Sequence, residues 1–509
     1  MTDLQELISS LPHPTEKDAE LITKAYNFAM DAHRGQKRLS GEPYFNHLVA
    51  TAKNISKLGM SATTISAGLL HDTIEDTNLT GADIEREFGT EIRFLVEGVT
   101  KLGAIKYRGT TRYNESLRKL FVAMSQDIRV LIIKLCDRLH NIQTLDHIPK
   151  EKQLRIATET LEIYAPIAYR LGIRKLNREL EDTAFKYVYP DDYKKVTDLI
   201  KLKQHTETDY LEKFGKSLKK ELAKNDIREF SIDYRIKGKY SLYKKLKRKD
   251  MDIEKIHDIA AMRVIVPTVA DCYKVLGIIH SNWRPLPNSI KDYIASPKLN
   301  GYKSLHTTIF TGDGGIVEIQ TKTKEMYEEA EFGIASHITY KQRQSDKPHK
   351  KIANSSLDWV KKIIPHRNKW EHAHGEKSTA NFEDVPQWIQ ELVEYQKDAG
   401  DEEFIHGIKS DFFEERIFVF TPIGDVIDLP AGSSVIDFAY SIHSDIGNRM
   451  AGAKVNGKFV AIYTILQNGD RVEVETKKTA KPNHKWIEYC KTTMAKRHIR
   501  IALGETKKN

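Results

Sequence analysis

Gly68-Leu69-Leu70-His71-Asp72-Thr73-Ile74-Glu75-Asp76 packs four metal-binding or acid/base side chains into one short stretch. The spacing predicts a helix over residues 62–77, with Leu69, Leu70 and Ile74 on its apolar face. His71 and Glu75 are four apart, as are Asp72 and Asp76, so each pair lies near one face. His47 lies upstream. Asp137 lies downstream in the apolar run Val130-Leu131-Ile132-Ile133-Lys134-Leu135-Cys136-Asp137. That run has strand propensity, but its apolar positions continue through Leu139 and Ile142 at helical spacing, so it reads as a buried helix. Asn141 follows Asp137 by one turn. An unpaired buried carboxylate is costly, which favours a metal or a cation partner for Asp137. Two His and two Asp make a mixed N/O site for a divalent metal, and such a site can activate water for phosphate-ester hydrolysis. A solvated acidic face is the plainer reading, and for a lone His-Asp dipeptide it is the usual one.

The rest of the chain frames that site. At 509 residues it exceeds one ordinary core, so three or more domains are expected. With 40% hydrophobic and 30% charged residues it is globular rather than disordered. A net charge of +9 fits polyanionic partners such as nucleotides or RNA. Cys136, Cys272 and Cys490 form no CxxC pair, which argues against a zinc ribbon or a disulfide framework. Neither a signal-peptide pattern nor an apolar run of membrane-spanning length occurs, so a soluble cytoplasmic protein without membrane contact is expected.

Residues 1–195 read as all helix, with a boundary at Tyr189-Pro190-Asp191, and residues 200–225 as an amphipathic helix. A mixed α/β domain is expected over 200–341. A polar linker with some helix follows over 342–410, then a β-rich unit over 411–476 and a basic amphipathic helix within 477–509. In the α/β part, Arg235 and Lys237 share a strand face. Ser241 is a candidate helix N-cap, followed by the basic run Lys244, Lys245, Lys247, Arg248 and Lys249. The paired strand cations suit a triphosphate clamp; a solvated basic helix is the bland alternative. Glu318 and Gln320 share another strand face, and Asp258 precedes a strand, so two carboxylates on neighbouring strands can hold Mg2+ against phosphates. The Asn300-Gly301 turn before Tyr302 can set an aromatic ring against a base, or be a simple surface turn with an anchored Tyr.

Arg34-Gly35-Gln36-Lys37-Arg38, Gly41-Glu42-Pro43-Tyr44, His47, the His71-Asp72 run and Asp137-Arg138-Leu139-His140-Asn141 resemble the hydrolase domain of the RelA/SpoT homologues, enzymes that make and destroy (p)ppGpp. The resemblance implies an all-α HD-type metal hydrolase domain, with His47, His71, Asp72 and Asp137 on Mn2+. Glu75 and Asp76 would position or deprotonate water, and Arg38 and Asn141 would contact substrate. Ile256-His257-Asp258, Met262-Arg263-Val264-Ile265, Lys291-Asp292-Tyr293-Ile294-Ala295, the run Asn300–Thr308 and Glu318-Ile319-Gln320 are similar to the family's synthetase domain, an α/β nucleotidyltransferase-like fold. By that resemblance Arg235, Lys237 and Lys245 would grip ATP phosphates, Asp258 and Glu318 would bind Mg2+, and Gln320 would orient the acceptor 3′-hydroxyl. Tyr302 would stack on guanine, with Lys298, Asn300 and His306 around the acceptor nucleotide; Ser241 and Lys291 complete the substrate-binding set.

Phe418-Val419-Phe420-Thr421-Pro422-Ile423-Gly424-Asp425 and Ile436-Asp437-Phe438-Ala439-Tyr440 resemble the TGS domain, a β-grasp module, with His443 a candidate RNA contact. The implied protein is a bifunctional alarmone enzyme acting on ATP, GDP or GTP and (p)ppGpp, with tRNA or ribosome contact through TGS. Departures from the family pattern are Gln143 for Arg, Tyr169 for His, Asn288 and Ser289 for Gly and Arg, and Thr321-Lys322 for Ile/Val-Arg. Two alternatives remain at this stage: a hydrolase whose synthetase domain only senses nucleotide, and an RNA-binding regulator with vestigial catalysis.

Overall fold

The computed structural model describes residues 2–11, 14–103, 127–253, 256, 260–287, 289–295, 297, 301–312, 315–335 and 416–504. The expected linker with its helices, and Asp258, Asn288, Lys298 and Asn300, lie outside the described residues. The chain divides into two compact units, one holding the helical and α/β parts and the other the C-terminal β-rich part. Among the described residues, no helix is long and apolar enough to cross a membrane.

The helical part runs α1 (Asp3–Ser9), α2 (Glu16–Ala32), α3 (Phe45–Ser56), α4 (Ala62–Leu69), α5 (Thr73–Asp76), α6 (Gly81–Gly103), α7 (Ile128–Gln143), α8 (Lys150–Glu159), α9 (Ala165–Arg170) and α10 (Arg174–Val188), with a π-turn at Thr160–Tyr164. Consecutive apolar residues of α7, from Val130 to Ile133, are all buried, so this helix is enclosed on every side, as its sequence predicted. Gly68 lets α3 and α4 approach closely; a Cβ there would lie 2.3 Å from Ile55 Cδ1.

The single helix expected over 62–77 is broken. In an unbroken helix the carbonyl of Gly68 would accept the N–H of Asp72. Here His71 Nδ1 takes that carbonyl at 2.8 Å, and the chain turns through Leu70–Asp72 before restarting as α5. The break turns both His71 and Asp72 inward, which a continuous helix with side chains 100° apart would oppose.

α11 (Pro190–Lys224) starts at a proline in its first turn, at the break read at Tyr189-Pro190-Asp191, and runs on without interruption past residue 195. There follow β1 (Ser231–Ile236), α12 (Lys239–Lys247), β2 (Ala260–Val266), α13 (Val269–Asn282), β3 (Lys291–Asp292), β4 (Leu305–Phe310), β5 (Ile316–Thr323) and α14 (Lys324–Phe332). The five-stranded sheet has the order β1-β2-β5-β4-β3, with β2 and β5 parallel and the other pairs antiparallel. One sheet face carries Met262, Val264 and Ile319 into a core with Phe214 and Leu218 of α11 and Val275 of α13. The opposite face is polar. Register aligns Asp233, Arg263, Gln320, His306 and Lys291 in one row across all five strands. Arg235 and Glu318 stand in the adjacent row on the same face.

The α/β part docks on α10. Lys244 Nζ donates to Glu181 Oε1 at 2.8 Å, and Tyr240 N to Asp182 Oδ1 at 2.9 Å. Ile334 N donates to Leu171 O at 3.0 Å. Beside it Gly333 has φ +52°, and a Cβ there would come within 2.3 Å of Leu171 O, so only glycine fits this junction.

The C-terminal unit contains β6 (Arg416–Phe420), β7 (Val426–Pro430), α15 (Val435–Ile442), α16 (Ser444–Asn448), β8 (Met450–Val455), β9 (Lys458–Val460), β10 (Val472–Thr476), α17 (Lys485–Tyr489) and α18 (Thr493–Ala502). The β-rich unit expected over 411–476 is present across its described residues. The single terminal helix expected from the sequence is two, separated at Cys490–Thr492. Asp437 is the reason for the break. Fully buried, it accepts from Ser434 N (2.7 Å) and Ser434 Oγ (3.0 Å), and across the chain from Lys491 N (3.0 Å), Thr492 N (2.8 Å) and Thr492 Oγ1 (2.8 Å). One carboxylate thus caps α15 and pins the start of α18. Asp437→Ala strands these buried donors and is expected to destabilise the unit by about 3 kcal/mol. Amide hydrogen exchange across α15 and α18 measures this as a lowered opening free energy; unchanged protection would refute it.

Candidate active sites

The first site lies among α3, the α4–α5 turn and α7. His47 Nε2 is 3.3 Å from Asp137 Oδ1 and 3.5 Å from Asp72 Oδ2. His71 Nε2 is 3.1 Å from Asp72 Oδ2 and 3.8 Å from Asp137 Oδ1. Ligand atoms of His47, His71 and Asp137 all fall within 4.8 Å of one another. His47, His71 and Asp137 are buried and Asp72 nearly so. His71 Nδ1 faces a carbonyl and therefore donates, so in the neutral ring Nε2 is bare. That Nε2 is a buried nitrogen with no hydrogen-bond partner. An orphaned lone pair aimed at two carboxylates fits a divalent cation. In the cation's absence, burial lowers the His71 pKa, but Asp72 and Asp137 outweigh it and raise it to about 10. Burial likewise pushes both carboxyls up, yet His71 beside Asp72, and Lys134 beside Asp137, hold them well below the usual carboxylate range.

The surrounding side chains complete the cage. Tyr44 Oη donates to Asp72 Oδ2 at 2.7 Å. Asp137 Oδ2 accepts from Lys134 Nζ at 2.8 Å, and Oδ1 from Asn141 Nδ2 at 2.5 Å. The sequence left open whether a metal or a cation partner answers Asp137; Lys134 is such a partner, and the histidines make room for a metal as well. Arg38 donates from one nitrogen to Asn141 Oδ1 at 2.6 Å, and its other lies 3.1 Å from His140 Nδ1. Glu75 and Asp76 sit exposed at the rim. Partial burial and the neighbouring Asp72 charge raise the Glu75 pKa. Burial, then His47 and Arg38, push His140 down to about 3, so it is neutral. Sequence reasoning missed Lys134 and His140. Both lie three residues from Asp137 on α7, so helical spacing was an available signal.

The second site is the polar sheet face. Gln320 Nε2 donates to Glu318 Oε1 at 2.9 Å, and His306 Nδ1 lies 3.3 Å from the same carboxylate oxygen. Tyr302 Oη is 2.8 Å from His306 Nε2 and 3.3 Å from Gln320 Oε1. Glu318, Gln320, Tyr302 and His306 therefore form one cluster. Lys291, paired in register with His306, is exposed at the sheet edge. Lys237 and Lys245 are half-buried in the β1–α12 connection and on α12. The N-cap of α12 is Gly238, not Ser241, which sits inside the first turn and reaches back to Glu181 at 3.4 Å. Ser289 Oγ donates to Thr308 O at 3.1 Å and accepts from Thr308 N at 3.2 Å, pinning its loop to β4.

Two cations not anticipated complete this face. The Arg174 guanidinium of α10 lies 4.0 Å from the centre of the Tyr302 ring, and Lys322 Nζ 4.6 Å from it. Tyr302 is only 2% exposed, so a base can reach that ring face only if Arg174 leaves it. No local pattern marks Arg174, because its contact crosses from the helical part. Burial, then Arg174 and Arg235, lower the Lys322 pKa to about 7. Burial, then Arg174, also lower Arg235. Positive charge is thus crowded and desolvated here, the environment a polyphosphate would relieve. His443, the candidate RNA contact of the other unit, is exposed and caps α16 through Asp445 N.

The HD domain family matches residues 25–174, the region found in RelA/SpoT proteins matches 234–345, and the TGS domain matches 417–476. The chain belongs to the RelA/SpoT family. It is 43% identical over 500 residues to a guanosine-3′,5′-bis(diphosphate) 3′-pyrophosphohydrolase of Aquifex aeolicus, covering 98% of this chain and 66% of that protein. It is 41% identical over 493 residues to a GTP pyrophosphokinase of Myxococcus xanthus, covering 96% of this chain and 61% of the relative. The chain thus spans less than two thirds of these relatives' length. Among solved structures, small alarmone synthetase 2 of Bacillus subtilis is 29% identical over 27% of this chain and 78% of its own, with a TM-score of 0.21. The helical HD domain, the sheet-bearing synthetase domain and the TGS domain are therefore this family's architecture.

The Lys322 pKa lies below its ordinary 10.5, so the folded state gives up this proton first. The unfolded chain then binds more protons between pH 7 and 10, and stability rises with pH in that window. Lys322→Met removes this dependence. Its stability relative to the native chain, measured by urea denaturation, is expected to drop by roughly 2–3 kcal/mol from pH 7 to pH 9. A pH-independent difference would show that Lys322 is not titrating in this range.

Proposed function

We propose that this RelA/SpoT family member is a bifunctional alarmone enzyme. It hydrolyses (p)ppGpp at the α3–α5–α7 site, and makes it on the α/β sheet face by pyrophosphate transfer from ATP to the 3′-hydroxyl of GDP or GTP. The observation that carries the reading is the convergence of His47, His71 and Asp137 on one point, in a chain whose sheet face also gathers Glu318, Gln320 and His306.

For hydrolysis, His47, His71, Asp72 and Asp137 would hold one divalent ion, for which Mn2+ suits the N/O ligand set. Such an ion supplies Lewis acidity and lowers the pKa of water. Glu75 and Asp76, open to solvent at the rim, take the proton of the attacking water; the raised Glu75 pKa suits a general base. Arg38 and Asn141 bind the substrate. Water adds to phosphorus, the bond to the ribose 3′-oxygen breaks, the proton taken from water is returned to that oxygen, and GDP or GTP leaves with pyrophosphate.

For synthesis, Arg235, Lys237 and Lys245 grip the ATP phosphates, with Ser241 behind them in the first turn of α12. Glu318 with Asp258 would hold Mg2+. Gln320, held by Glu318, orients the 3′-hydroxyl; Tyr302, His306, Lys291, Lys298 and Asn300 form the acceptor site. AMP and (p)ppGpp are the products, and alignment with charge neutralisation does most of the work. Three buried free cysteines suit a reducing cytoplasm, and the TGS domain is the candidate contact for tRNA or the ribosome. The covered Tyr302 ring favours control of synthesis from the helical part, and it also keeps alive the reading of a synthetase domain that senses nucleotide.

Paired variants test the assignment. His71→Ala is expected to cut pyrophosphate release from ppGpp at least about a hundredfold and spare AMP formation from ATP and GDP; Glu318→Gln should do the reverse. Loss of both activities in either variant, or of neither, would sink the two-site reading. Arg174→Ala frees the Tyr302 ring and is expected to tighten GDP binding about tenfold by calorimetry, the scale of a desolvated cation–π contact. An unchanged Kd would show that the ring is not the base platform.

A further inference from the structure

His140 takes no part in the roles above, yet it touches two of the residues that do. Its Nδ1 lies 2.8 Å from His47 Nδ1 and 3.1 Å from an Arg38 guanidinium nitrogen. A guanidinium has only N–H donors, so His140 Nδ1 must accept. A bare Nδ1 cannot donate to His47, so the hydrogen between the two rings belongs to His47 Nδ1. Neutral His47 then has a bare Nε2, the atom that faces Asp137 Oδ1 and Asp72 Oδ2. Arg38 passes the connection on to Asn141, and Asn141 to Asp137. The chain His47–His140–Arg38–Asn141–Asp137 therefore closes on itself through the site.

We infer that His140 is a positioning residue of the metal centre: by accepting from His47 Nδ1 it fixes the tautomer that aims the His47 lone pair at a divalent cation, and by accepting from Arg38 it holds that arm in the same network. This rests on the hydrolase reading of the site. His71 achieves the same tautomer with a backbone carbonyl, that of Gly68. His47 comes from a helix whose own carbonyls are occupied, so a side chain on α7 supplies its acceptor.

The test is calorimetric titration of Mn2+ into the metal-free full chain. Relative to the native protein, His140→Ala is expected to weaken Mn2+ binding about tenfold or more. His140→Asn, whose Oδ1 stands near the position of Nδ1, should recover to within about threefold of native, the signature of a lost acceptor rather than lost packing. A folded His140→Ala protein that binds Mn2+ as tightly as native, or a His140→Asn as weak as the alanine variant, overturns the inference. Ring-nitrogen NMR of the native chain at pH 7 checks it without any substitution: His140 should carry its hydrogen on Nε2, and finding it on Nδ1 overturns the role. Native protein that binds no Mn2+ would instead sink the metal centre itself, a result distinct from native-like binding by the alanine variant.

Discussion

A carboxylate sits buried in a helix whose run from Val130 to Ile133 is wholly enclosed, and much of the helical domain answers to it. Asp137 is 3% exposed on α7. An isolated charge there would cost several kcal/mol, so the surroundings must supply compensation from separate elements. Lys134 supplies a full charge from the same helix, Asn141 a neutral donor, and His47 and His71 two imidazoles from α3 and the α4 end. The close approach allowed by Gly68 and the helix break at His71 both serve that convergence.

The α/β domain presents the opposite electrostatic problem. Its polar sheet face gathers Arg174, Arg235 and Lys322 around a buried tyrosine, and burial with mutual repulsion depresses the last two. One unit of the chain thus holds both a pocket of carboxylates and imidazoles and a face crowded with cations. Each suits a different part of the proposed reactions, the metal in one case and a polyphosphate in the other.

What the sequence made legible was what local spacing encodes. The apolar run before Asp137 gave a buried helix, and the strand read through Arg235 and Lys237 is β1, which ends one residue short of Lys237. Helix ends were less legible where a side chain decides them. The break at His71 depends on an imidazole winning a carbonyl, and the break before α18 depends on Asp437, over fifty residues away in sequence. Ser241 looked like a cap because hydroxyl residues often are, but Gly238 starts the helix and Ser241 is drawn to Glu181 instead. Ser289, which removes a cation relative to the family pattern, turns out to pin a loop to β4. Arg174 could not be found at all from local pattern, since its ring partner lies in another domain.

That long-range contact decides how independent the two sites are. The segment from the π-turn to α10 touches both. Tyr164 lies under Arg138, the neighbour of Asp137, at 4.2 Å, while Arg174 covers Tyr302. Between them Leu171 is locked to α14 by the Ile334 hydrogen bond and by the close fit of Gly333. Arg174 can leave the ring in two ways. A change of rotamer opens the sheet face and leaves α9 and Tyr164 where they are, so the metal site would not respond. A shift of the Leu171–Arg174 turn must drag α14 with it or break that junction, and it pulls on α9 and on the ring beneath Arg138. Only the second route gives each site a free-energy stake in the state of the other, which is what reciprocal control requires. The hydrogen bond and the close backbone fit at Gly333 tie the turn to the end of α14, so the coupled route would have to carry both.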